Sequence, residues 1–379
     1  MLRPELPHLL IVDDEPGRHD LAAAHAREQG VQVTVLDPHD VTEDDLDGVD
    51  LVCVDEFLGN DWKQSVHRTA ASLVALHNED GIAVAAALRS RARLNVGEGQ
   101  PGFGVALLTA DLDTLSEGLP RTFQEPLTAS QHDLEWVFQF AEGSAANLPR
   151  MIELAAAFRS ARDAATAFAQ DSGTGWLSLP DAHWADTARG HVDDCRPPAH
   201  QLSVSTHGRS FLRWLAQRVL PYPTFLLDAE HSANLLGITA ASFDQLTASA
   251  VMKEVAAAYD GPLGDTFLGP RWWRAGLQQL LLDAQSSQWE PAPERAFALR
   301  EHTGLNLTAL SAEQAVIAHS FDGTVLSIDT EASEAVRIQI DGWPLYADDP
   351  WARVCDVVAD DRLRTLVAFD DRARLESAS

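Results

Sequence analysis

HLLIVDDEP, residues 8–16, decides how the first part of this chain is read. Residues 8–12 are a short apolar run that halts at Asp13, Asp14, Glu15 and Pro16, as a strand buried on both faces does where it meets the start of a helix. The pattern then repeats along the chain. Residues 31–36 (VQVTVL), 51–54 (LVCV), 105–108 (VALL) and 136–140 (WVFQF) are expected as strands two to five. Residues 18–29, 81–94 and 148–168 are expected as helices, residues 41–46 carry weaker helix signals, and residues 61–79 look like an extra helix beside the strand ends.

Strands alternating with helices imply a parallel sheet covered on both faces, and five such units in this length fit an α/β, flavodoxin-like doubly wound fold. Working outward, the 379 residues exceed what one core usually organises, about 250 to 300 residues, so two or three domains are expected. The first spans residues 7–168. Gly173, Gly175, Pro180, Gly190, Pro197 and Pro198 then punctuate an irregular connector, residues 169–209. Helical periodicity returns over residues 210–310. Alternating runs at 315–321, 324–328 and 335–340, with Asp322-Gly323 as a turn, predict a small β-rich part over residues 311–379, standing alone or joined to the helical region.

A formal net charge of −29 repels polyphosphates over most of the surface, so nucleic acid is not an expected partner. Cys53, Cys195 and Cys355 form no CxxC pair, which argues against a disulfide framework or a thiolate zinc site. No run of about 18 apolar residues occurs, and Asp13 and Asp14 interrupt the first apolar stretch where a signal peptide would continue. A cytoplasmic protein without membrane association is expected.

In an open parallel sheet, functional groups gather where strands end at their carboxyl edge. Asp13 and Asp14 follow strand one, Asp55 follows strand three and Thr109 follows strand four, so all four are expected to converge. Three crowded carboxylates repel one another unless a hard cation lies among them, and a set of oxygen ligands suits Mg²⁺. So neutralised, Asp55 could take a phosphoryl group, and the Thr109 hydroxyl could report it to the neighbouring loop. Glu56 is expected to face solvent.

VDDEP after strand one, VDEF after strand three and LLTA after strand four together resemble the response-regulator receiver family over about residues 7–168. The resemblance implies a phosphorelay module of two-component signal transduction, charged by a sensor histidine kinase. It implies Asp14 and Asp55 as Mg²⁺ ligands with Asp13 in support, Asp55 as the phosphorylated residue, Thr109 as the switch hydroxyl, and pairing into a homodimer. Asp14 and Asp55 stand 41 positions apart, which suits strands one and three of that fold. One element departs from the family. Receivers carry a Lys at the end of strand five, where this chain has Gln139 or Phe140, and an amide supplies no point charge.

The remaining motifs carry less. Residues 229–246 resemble a helix-turn-helix, yet the would-be recognition helix holds Asp244 and no Arg or Lys, so a structural helical hairpin is the better reading. Arg271-Trp272-Trp273-Arg274 reads as a helix start with a buried indole pair in preference to a ligand pocket. His183, His191, His200 and His207 match no zinc spacing. The expected function is a signalling or regulatory protein with no enzymatic activity beyond phosphoryl acceptance. The alternatives are a pseudo-receiver scaffold and an enzyme within residues 210–368.

Overall fold

The computed structural model describes residues 7–28, 30–58, 80–97, 102–139, 147–171, 173–198, 208–323 and 326–378. Five strands, β1 (His8–Val12), β2 (Gln32–Leu36), β3 (Leu51–Asp55), β4 (Gly104–Thr109) and β5 (Val137–Gln139), form one sheet in the order β2-β1-β3-β4-β5. Every neighbouring pair is parallel. All five strands therefore end at one edge.

The strands hold because their side chains divide cleanly between two faces, as the two-residue period of a strand requires. Leu9, Ile11, Leu51, Cys53, Ala106 and Leu108 face one core, and Leu10, Val12, Val52, Val54, Val105 and Leu107 the other. Helices α1 (Asp20–Glu28) and α5 (Leu148–Asp171) cover the first face, whereas α2 (Gly81–Gly97) covers the second with Val84, Ala85 and Leu88. Each fully buried aliphatic side chain contributes about 1.5–3 kcal/mol. Two short helices, α3 (Leu112–Leu115) and α4 (Gln124–Gln131), connect β4 to β5. Between β2 and β3 the expected helix reduces to a single 3₁₀ turn, Asp44–Leu46. The expected helix at residues 61–79 lies outside the described residues.

The core on the α1 and α5 face does not stop at residue 168. Trp184, Phe211, Trp214, Phe225 and Trp273 belong to the same buried cluster as Leu9 and Phe158. Arg150 of α5 fastens this junction: its Nε donates to the Phe267 carbonyl at 2.8 Å, Nη2 meets Glu125 at 2.6 Å, and its Cζ lies 5.4 Å from the centre of the Phe267 ring. The segment expected to be irregular contains a ten-residue helix, α6 (Ala185–Asp194), which buries Ala185, Ala188 and Val192 despite the glycines and prolines around it.

The chain then forms α7 (Arg209–Trp214), α8 (Ala229–Leu236), α9 (Ala240–Thr247), α10 (Ala250–Val255), α11 (Asp265–Leu268), α12 (Arg274–Asp283) and α13 (Ala292–Thr303). Leu226–Leu227 (β6) and Trp272–Trp273 (β7) pair antiparallel between them. The end of the chain is mixed rather than β-rich. A four-stranded sheet, in the order β10-β11-β8-β9, is built from β8 (Ala315–His319), β9 (Leu326–Glu331), β10 (Ala335–Arg337) and β11 (Trp351–Arg353). Helices α14 (Val354–Ala359), α15 (Asp361–Leu366) and α16 (Arg372–Ala378) follow. The strand expected to reach residue 340 ends at Arg337, after which Ile338 bridges Val367 and turns inward with Ile340. Among the described residues no helix is long and apolar enough to cross a membrane.

Candidate functional site

The carboxyl edge of the parallel sheet brings Asp13, Asp14 and Asp55 together: one ligand oxygen from each lies within 4.8 Å of the others. Among the described residues this is the one group of three or more acidic, His or Cys side chains close enough to share a metal ion. Asp55 closes β3, while Asp13 and Asp14 lie just beyond β1, its hydrogen-bonded neighbour. Oxygens from adjacent strands at this separation leave room for a cation bound at the distances of hard, oxygen-ligated metals, about 2.0–2.6 Å. Three carboxylates and no sulfur or nitrogen donor make a set chemically suited to such an ion.

Neighbours give Asp13 and Asp55 different roles. Asp13 is buried; its Oδ1 accepts from the Glu15 amide at 2.7 Å and its Oδ2 meets His19 Nε2 at 2.7 Å. Burial alone would raise its pKa, but those bonds and the fields of His19 and Arg18 hold the carboxyl below its usual range. Asp55 has no such support among the described residues. Burial, followed by repulsion from Asp13 and Asp14, pushes it up to about 7, against a weaker pull from Arg18 and His19. Near neutral pH it is the group whose ionisation a bound cation would favour most.

His19 and Arg18 were not singled out in the sequence, where they read as the first residues of a helix. They lie instead on a separate 3₁₀ turn, Pro16–His19, which returns the chain onto the acids it has just left. Pro16-Gly17 directly after VDDE is the signal for that turn, since Pro presets its first φ. Arg18 also pairs with Glu15 at 2.5 Å.

Thr109 closes β4 and is fully buried. Its hydroxyl donates to Glu56 Oε2 and its Oγ1 accepts from the Asp111 amide at 3.0 Å. Glu56 does not face solvent as its place in the sequence suggested: it is buried because its amide donates to the Leu108 carbonyl and its side chain receives Thr109. Burial raises the Glu56 carboxyl, the Thr109 bond draws it back, and Asp111 and Asp80 add repulsion. The structure thus brings Thr109 to the residue next to Asp55, through an acid not assigned to the site.

The described ends of the segment between β3 and α2 meet beside the site. Phe57 bridges Asp80, and the Gly81 amide donates to the Glu56 carbonyl at 2.8 Å. A Cβ at position 81 would lie 1.9 Å from the Asp55 carbonyl oxygen, so only glycine allows α2 to begin against the site. At the end of β5, Gln139 pairs in register with Thr109. It sits two strands from Asp55, about 10 Å away at the usual strand spacing. Phe140 lies outside the described residues. The described groups whose fields pull Asp55 toward ionisation, Arg18 and His19, lie on the turn after β1.

Elsewhere the expected motifs are structural. The Arg271 guanidinium donates to the carbonyls of Leu220, Leu268, Gly269 and Pro270 at 2.9–3.1 Å, and Trp273 is buried. Helices α8 and α9 form the expected hairpin. It turns at Gly237, whose φ is +72° and where an added Cβ would lie 2.5 Å from the Ala292 carbonyl oxygen, leaving no room for a side chain. The second helix buries Phe243 and Leu246. His200 and His207 lie outside the described residues.

No model of a known protein family matches the chain, and no curated protein is significantly similar to it. The functional reading therefore rests on the residues and their geometry.

Proposed function

We propose that residues 7–168 act as an atypical receiver of flavodoxin-like fold, in a signalling or regulatory protein whose C-terminal region or partners respond to the state of Asp55. The observation that carries the reading is the meeting of Asp13, Asp14 and Asp55 oxygens within 4.8 Å at the carboxyl edge of a 2-1-3-4-5 sheet. Asp13, Asp14 and Asp55 would hold Mg²⁺, which when bound neutralises the charges that keep a carboxylate away from a phosphoryl donor. An Asp55 oxygen then bonds to phosphorus as the bond from phosphorus to the donor's leaving group breaks, leaving an acyl phosphate on Asp55. A sensor histidine kinase is the donor this chemistry suits.

Residues of the chain set the terms of the switch. Thr109 must release Glu56 before its O–H can turn to a phosphoryl oxygen, so the Glu56 carboxylate restrains the transition. With Gln139 in place of a cation, an acyl phosphate on Asp55 has weaker charge stabilisation and a shorter life than strand-five Lys would give. The same two features favour a second reading, a docking module never phosphorylated. Acetyl phosphate with Mg²⁺, followed by intact-mass analysis, separates them. The receiver reading requires the gain of one phosphoryl group, absent in Asp55→Asn; an unchanged mass at every Mg²⁺ concentration leaves the docking module.

A further inference from the structure

The parts of the molecule that the acidic rim does not explain include a cavity of about 310 Å³, walled by residues between Pro223 and Trp351. Its size falls at the lower end for small-molecule sites, about 300–1,000 Å³. Its charges are unevenly matched. Asp348 on the wall pairs with Arg274 at 2.6 Å, and Asp349 lies 3.8 Å from Arg337, so these acids already have arginine partners. Arg295 is different. This buried guanidinium spends Nη1 on the carbonyls of Leu235 and Gln288, both at 3.0 Å, its Nε has no hydrogen-bond partner, and no carboxylate forms a salt bridge with it among the described residues. Glu290, whose field reaches it, accepts instead from Ser286 at 2.6 Å.

Two further observations point to an occupant. His319 also lines the cavity at 6% exposure with Nδ1 unpartnered, although a buried polar atom left so costs about 1–3 kcal/mol. Burial, then the field of His231, pushes this imidazole down to about 4 against the upward pull of Asp228, so it is neutral and can accept or donate one hydrogen bond. Trp289, on the same wall, is 87% exposed. An indole left open beside a polar cavity offers a flat apolar surface on which a ring can stack. His231 completes the wall with its Nδ1 fixed on Asp228 at 2.7 Å, which leaves the Nε2 edge for a ligand.

We infer that this cavity is a binding site for a small aromatic carboxylate, its acid group meeting Arg295 and its ring lying against Trp289, with His319 on the same wall offering a further hydrogen bond. The proposal does not rest on the acidic rim and stands or falls apart from it. The test is a ligand-observed NMR titration of the full chain with benzoate, benzyl alcohol and inorganic phosphate as probes. Benzoate is expected to bind saturably with Kd below about 1 mM, and the neutral ring and the ringless anion at least about tenfold more weakly. Trp289→Ala, a surface change that leaves folding intact, should weaken benzoate at least about fivefold. His319→Phe should do the same while keeping the ring volume. No saturable benzoate binding overturns the inference, as does equal binding of either control probe or wild-type affinity in Trp289→Ala.

Discussion

The two edges of the parallel sheet treat acidic residues in opposite ways. At the amino edge, Asp50 and Glu135 are completely buried and each is held by two arginines. Arg159 reaches Asp50 at 2.7 Å with Arg162 at 3.4 Å, while Arg209 and Arg213 both contact Glu135, the latter at 3.2 Å. Burial alone would raise Glu135, but the two guanidinium groups keep it ionised, below its ordinary range. At the carboxyl edge, Asp55 makes no salt bridge among the described residues and is driven up to about 7. Acids that hold the fold together arrive with their cations, whereas Asp55 is left to repel its neighbours.

That contrast is broken most directly at the amino edge. Glu135→Gln leaves two arginines facing each other without their carboxylate, and should cost about 3–5 kcal/mol in urea unfolding. Gly81→Ala comes next, because a methyl group must displace the Asp55 backbone; about 3 kcal/mol is expected. His19→Phe removes the partner of buried Asp13 and should cost about 1–3 kcal/mol. Because the Asp13 carboxyl is held low, this loss should be full near neutral pH and fade as pH falls through its folded pKa.

Asp55→Asn should have the opposite sign. A folded pKa raised to about 7 means that the native state keeps a proton the unfolded chain has released, so this stabilisation exists in acid and is lost as pH rises through 7. Without divalent cations, the variant should therefore gain on wild type between roughly pH 4 and 7, by on the order of 1 kcal/mol after solvent screening. Unfolding curves across that range, in chelator and then in millimolar Mg²⁺, read the effect and its reversal. The smallest change is Trp289→Ala, within about 0.5 kcal/mol in thermal unfolding.

The rim was legible in the sequence because its pattern is local. An apolar run that ends in an acid states both the strand and the edge at which the acid emerges, so Asp13, Asp14 and Asp55 could be gathered from two short strings. Arg18 and His19 were hidden by a turn that mimics the first residues of a helix, and Glu56 by a bond to Thr109 that crosses 53 positions. The cavity was illegible for the same reason on a larger scale. Its Arg295, His319 and Trp289 come from a helix, a strand and a loop with no common spacing, and only the packed fold sets them on one wall. The helices after β11 were missed because three short segments of 6 or 7 residues give periodicity too little length to declare itself.

Calorimetric titration of the full chain with Mg²⁺ just above pH 7, wild type beside Asp55→Asn, probes the unmatched rim most directly. Binding should saturate at one ion per chain, weaken as pH drops below 7 because Asp55 must then surrender a proton, and fall at least about tenfold in the variant. Wild-type protein that takes up no Mg²⁺, or a variant that binds it equally well, would contradict the account.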